Sequence, residues 1–107
     1  MPSRLGNKIR DLRKGKGFTL EELADKSDSS KSYIWELENK NPPRPSADKV
    51  AKIAVALGVT TDYLLSDSED APGDSVLDEA FFRDFQGLDE PTKAKFRALM
   101  EVWSKKQ

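Results

Sequence analysis

The sequence predicts an all-α protein: five helices over residues 1–65, an acidic linker over 66–73 and a two-helix C-terminal extension over 74–107. Three observations carry this expectation. Large apolar residues recur three or four positions apart and nowhere alternate as they would along a strand. A Ser or Thr stands before each of the first five periodic segments, where a helix start needs an acceptor for its unpaired N–H groups. Gly17, Gly58 and Gly87 follow periodic segments, where helices commonly stop.

The first helix is expected from about Ser3 to Lys16, with Leu5, Ile9 and Leu12 on one face and Gly17 behind it. Thr19 and Glu22 have capping-box spacing and open a short second helix through Leu23, Ala24 and Lys26. Ser27-Asp28-Ser29-Ser30 is a tight polar turn, and Ser30 caps a third helix reaching about Asn39. The stretch Asn39 to Pro45 holds three prolines and cannot be helix throughout. Ser46 caps a fourth helix whose face is Val50, Ile53, Ala54 and Leu57, with Gly58 as its stop. Thr60 caps a single-turn fifth helix carrying Tyr63, Leu64 and Leu65. Ser66 to Gly73 is polar, acidic and broken by Pro72 and Gly73, which makes it a linker. Beyond it, Ser75 with Asp78 three residues on is expected to open a sixth helix, and a seventh runs from near Glu90 to Lys105.

The composition excludes several functions. The 107 residues include no Cys and no His, so disulfides, thiol chemistry, an imidazole base and the usual nitrogen and sulfur metal ligands are all missing. No carboxylates, lysines or hydroxyls sit in a recognisable catalytic motif, so neither an enzyme nor a metal or cofactor site is expected. No apolar run approaches the ~18 residues of a membrane span. The expected place is a reducing bacterial cytoplasm, with no membrane partner.

A net charge of −1 conceals a division along the chain. In residues 1–17, Arg4, Lys8, Arg10, Arg13, Lys14 and Lys16 face Asp11 alone, whereas nine acids between Asp67 and Glu90 face only Arg83. A basic front and an acidic back suggest two tasks in two segments.

Two short helices joined by a tight turn, with a third close behind, outline a helix-turn-helix. Thr19, Leu23-Ala24, Ser30, Tyr33-Ile34, Leu37-Glu38-Asn39, Pro45-Ser46, Leu57-Gly58-Val59 and Asp62-Tyr63-Leu64-Leu65 occur in order. On these residues the chain resembles the Cro/cI-type (Xre) helix-turn-helix domain of lambdoid phage repressors and many bacterial regulators, over about residues 3–65. The resemblance implies a five-helix, lambda-repressor-like domain that binds double-stranded DNA as a transcriptional regulator, a dimeric (auto)repressor by default.

It also implies roles for particular residues. On the third helix Ile34, Leu37 and Glu38 share one side, while Ser32, Glu36 and Asn39 share the other, free to enter a major groove. Lys31, Ser32 and Glu36 then read base edges: lysine donates to guanine, serine suits several bases, and glutamate accepts from cytosine N4. Two readings of Trp35 stay open, contact with a thymine methyl or packing against the protein. Tyr33, Asn39, Lys40, Asn41 and Arg44 are candidate phosphate contacts, with amides at the starts of helices two and four. Arg13 and Glu38 are implied to form a partly buried ion pair. Three departures affect operator geometry: Leu20 where many members have glutamine, Asp28 in place of the turn glycine, and Lys40 where a glycine often ends the third helix.

The last third is rich in large apolar groups: Val76, Leu77, Phe81, Phe85, Leu88, Phe96, Leu99, Met100 and Trp103. Two lone helices cannot hide them, so they must meet the first domain, a second copy or another protein. Half-site recognition makes a homodimer the default. The alternative is an antitoxin or protease-controlled regulator, whose extension docks a cognate toxin or a regulatory protease.

Overall fold

A computed structural model describes residues 3–66 and 71–105, so the linker acids at 67, 69 and 70 lie outside the described residues. The hydroxyl caps set the helix starts. Helices α1 (Arg4–Gly15), α2 (Leu20–Lys26), α3 (Lys31–Asn39), α4 (Ala47–Leu57) and α5 (Thr61–Leu65) begin after Ser3, Thr19, Ser30, Ser46 and Thr60. Each of these side chains accepts from the N–H three residues on, and Thr19 and Glu22 complete the reciprocal capping box. Two glycines let the chain turn away: Gly17 has φ 74° and Gly58, at the end of α4, φ 71°.

The five helices converge through their apolar faces. Ile9, Leu23, Ile34, Leu37, Val50, Ile53, Leu57, Val59 and Leu64 form one buried cluster, with Leu5, Leu12, Leu20 and Tyr33 against its edge. Each fully buried aliphatic side chain contributes about 1.5–3 kcal/mol. Gly6 governs how closely α1 meets α3, because a Cβ there would overlap the carbonyl oxygen of Leu37. At the turn between α2 and α3, Asp28 adopts φ 55°, a conformation usually left to glycine. Helix α4 braces it: Lys49 Nζ donates to the Asp28 carbonyl at 2.6 Å, and Lys52 Nζ lies 3.3 Å from its carboxylate.

The extension forms α6 (Asp74–Gln86) and α7 (Glu90–Lys105). The capping pattern at Ser75 and Asp78 is not used. Helix α6 starts two residues earlier than a Ser75 cap would place it, after Gly73, without a side-chain cap, and Ser75 falls inside its first turn. An Asx cap opens α7 instead, the Thr92 N–H donating to Asp89 Oδ1 at 3.2 Å. Among the described residues there is no strand. Helix α6 rests on the head, the five-helix unit, through Val76, the buried Ala80 and a hydrogen bond from Arg83 Nη1 to the Val59 carbonyl at 2.7 Å. Extents of 52 × 26 × 24 Å reflect an extension projecting from that unit.

Candidate nucleic-acid interface

The site is built on α3, whose inward side is fixed at three points. Ile34 and Leu37 enter the core, and Glu38, 1% exposed, meets Arg13 of α1. The pairing is bidentate: Arg13 Nε donates to Glu38 Oε2 at 2.7 Å and Nη2 to Oε1 at 2.9 Å. The remaining terminal nitrogen, Nη1, donates to the Phe18 carbonyl at 2.8 Å. One guanidinium thus joins α1, the approach to α2 and α3. The hydrogen bond to Glu38 is the main cause holding the Arg13 pKa above its ordinary value.

With that side fixed, Lys31, Ser32, Trp35, Glu36 and Asn39 all lie on the exposed arc of the helix. Trp35 stands near the middle of the arc, 44% exposed, with Lys40 Nζ 5.7 Å from the ring centroid. Asn39 Nδ2 donates to the Trp35 carbonyl at 3.0 Å, which tightens the last turn of the helix. Tyr33 is half-buried at the edge of the arc. Burial, then the Glu36 carboxylate, raises its phenol above the ordinary tyrosine pKa, so the hydroxyl keeps its proton as a donor. Lys40 follows α3 directly and is exposed. Asn41 and Arg44 sit further back, lining a cleft of ≈ 310 Å³ with Arg4, Leu5, Leu37 and Leu64. The structure therefore gathers the proposed base readers and Asn39 on one arc, with Tyr33 and Lys40 at its margins and Asn41 and Arg44 beside it.

The assembled geometry is two short helices at a tight turn, the second held rigidly with a polar outer arc. The family model described as helix-turn-helix matches residues 9–64, more than half of the chain. The chain belongs to the helix-turn-helix family. This helix-turn-helix protein is 32% identical to the HTH-type transcriptional regulator SinR of Bacillus licheniformis over 108 residues, covering 96% of each chain. It also resembles the structure of SinR, a master regulator for biofilm formation, in complex with DNA: the TM-score is 0.55, with 35% identity over 58% of this chain and 98% of that one. A complex of SinR with SinI matches with a TM-score of 0.57 and 26% identity, over 96% of this chain and 99% of the other.

In the extension, Leu77, Phe81, Phe96, Leu99, Met100 and Trp103 are each at least 41% exposed. Phe85 is half-buried between Phe81 and Phe96, at centroid distances of 6.4 and 6.3 Å. Val76 does not join this surface, because it faces the core of the head.

Four features have structural roles that the sequence reading does not assign: Gly6, the lysines bracing Asp28, Lys8 and Arg83. Lys8 Nζ donates to the carbonyls of Tyr63 and Ser66, each at 2.9 Å, and so ties α1 to the end of α5. Two signals were present in the sequence. A glycine inside a helical pattern costs ~1 kcal/mol relative to alanine and so asks for a packing reason. A single base among nine acids asks for a specific acceptor.

Proposed function

We propose that this chain is a sequence-specific transcriptional repressor that binds double-stranded DNA as a homodimer, its own operon among its targets. One observation carries the reading: α3 is fixed from behind by the Arg13–Glu38 pair and presents an exposed polar arc. Lys31, Ser32, Trp35 and Glu36 read base edges in the major groove, and Tyr33, Asn39, Lys40, Asn41 and Arg44 hold phosphates. The likeness to a DNA-bound SinR supports this docking. Self-association through Leu77, Phe81, Phe85, Phe96, Leu99, Met100 and Trp103 pairs two heads for half-sites about 34 Å apart. Among the described residues no helix is long and apolar enough to cross a membrane, which agrees with work in the cytoplasm.

The same open surface favours a second use. The SinR–SinI complex, similar over 96% of this chain, supports docking of another protein, and the exposed apolar surface of the extension is where we place it. Footprinting on DNA upstream of the chain's own coding sequence, with sedimentation of the free protein, tests the main reading. The expected result is two protected half-sites about one helical turn apart and a dimer in solution. Absence of protection at any sequence, or binding that ignores sequence, would overturn it.

A further inference from the structure

Helix α6 carries two contact faces. Val76, Ala80 and Arg83 follow at i, i+4 and i+7 and face the head, where Ala80 is 2% exposed. Leu77 and Phe81 lie about 100° further round the helix from Val76 and Ala80, and with Phe85 they form the face that leads to the Phe85–Phe96 edge contact with α7. The head and the surface proposed for self-association therefore meet on one rigid helix.

Arg83 closes the contact with the head. Its Nη1 donates at 2.7 Å to the carbonyl of Val59, which is 1% exposed in the turn between α4 and α5, and its Nε lies 3.1 Å from Asp84 Oδ1. Its Nη2 is buried with no partner among the described residues. A surface arginine would keep both terminal nitrogens wetted, and buried donors are nearly always paired. This guanidinium forgoes the hydration of one nitrogen to keep the other on the Val59 carbonyl, so the docked position is specific.

We propose that Arg83 is a positioning residue for two-site DNA recognition, locking α6 to the α4–α5 turn so that a dimer presents its recognition helices at one fixed separation. This rests on the dimeric reading of the extension. A length estimate shows what the lock would do. Heads held only by the eight residues 66–73 would wander by about 15 Å r.m.s.. That spans several base-pair steps of about 3.4 Å, and would make the protein nearly blind to half-site spacing. A docked α6 removes that freedom.

The test uses the full chain and duplexes carrying the footprinted half-site once, or twice at separations changed in single base-pair steps. Wild type should lose roughly tenfold or more in affinity when the separation shifts by two base pairs, which is part of the gain from linkage. Arg83→Met keeps the apolar stem but removes the donor. It should flatten that preference to within about twofold, with single-half-site affinity and the sedimenting dimer unchanged. Arg83→Lys, which can still donate to Val59, should restore much of the preference. A spacing profile in Arg83→Met equal to wild type would overturn the proposal, as would loss of single-half-site binding in that variant. The chain has no native cysteine, so spin labels on Asp25→Cys report the distance between heads without the Arg83 variants. One narrow distance in the free dimer supports the lock, and a broad distribution defeats it. A wild-type monomer in sedimentation defeats the dimeric reading and this proposal together, whereas a dimer with loosely placed heads defeats this proposal alone.

Discussion

Replacing Arg13 with alanine should cost far more than removing a surface charge. The Arg13 side chain is 12% exposed and the Glu38 side chain it holds 2% exposed, so the change leaves Glu38 without its partner where water cannot reach it. Breaking a buried pair from one side typically costs about 3–5 kcal/mol, and the hydrogen bond to the Phe18 carbonyl goes as well. At about 0.05–0.15 kcal/mol per residue, a unit spanning Arg4–Leu65 holds only roughly 3–10 kcal/mol in total. Arg13→Ala should therefore lower the melting temperature by well over ~10 °C and leave a measurable unfolded fraction at room temperature. Urea unfolding of wild type, Arg13→Ala, Glu38→Gln and the double variant forms the assay. The coupling energy should exceed the ~0–1 kcal/mol of exposed pairs. A coupling near zero would refute the reasoning, because the two groups would then be separately solvated despite their bidentate contact.

Four further outcomes follow from the same geometry. Lys31→Ala should cost about 1–3 kcal/mol on the cognate site and relax choice at one base pair. Arg44→Ala should instead weaken cognate and random duplexes alike and reduce the salt slope by about one, a contrast that salt titrations on both DNAs will show. A chain ending at residue 66 should stay helical by circular dichroism but lose about 1–3 kcal/mol, since Val76 and Ala80 no longer cover the head. It should also sediment as a monomer, and Phe81→Asp or Leu99→Asp in the full chain should reproduce that change. Gly6→Ala should destabilise by about 2 kcal/mol in urea despite the better helix former, because its methyl would meet the Leu37 carbonyl. A neutral result would show that α1 can slide away from α3 at little cost.

Helix placement was legible because it is locally encoded. Ser3, Thr19, Ser30, Ser46 and Thr60 mark the starts within a few residues of the groups they cap. The start of α6 was misread for the same reason, since Ser75 and Asp78 have the spacing of a capping pair while the chain turns helical at Asp74 after Gly73. The exposed arc of α3 was legible from helical geometry once Ile34, Leu37 and Glu38 were placed inside. Arg83 on the Val59 carbonyl and Lys49 on the Asp28 carbonyl were not, because each acceptor is a backbone atom more than twenty residues away. No side-chain pattern marks a carbonyl. Only the packed arrangement of α4, α5 and α6 shows which one is left within reach.

The chemistry of the helix caps also decides which helix starts respond to acid at all. All five caps in the head are hydroxyls, which neither gain nor lose a proton across the working range of a protein. The start of α7 depends instead on the Asp89 carboxylate, held below the ordinary aspartate pKa by hydrogen bonds from the Thr92 side chain first and then its backbone N–H. A lowered pKa contributes stability that is present above the unfolded value and lost as pH falls through the folded one. Strong acid, below the ordinary aspartate pKa, should therefore loosen the entry to α7, while the five hydroxyls that cap the head keep their hydrogen bonds.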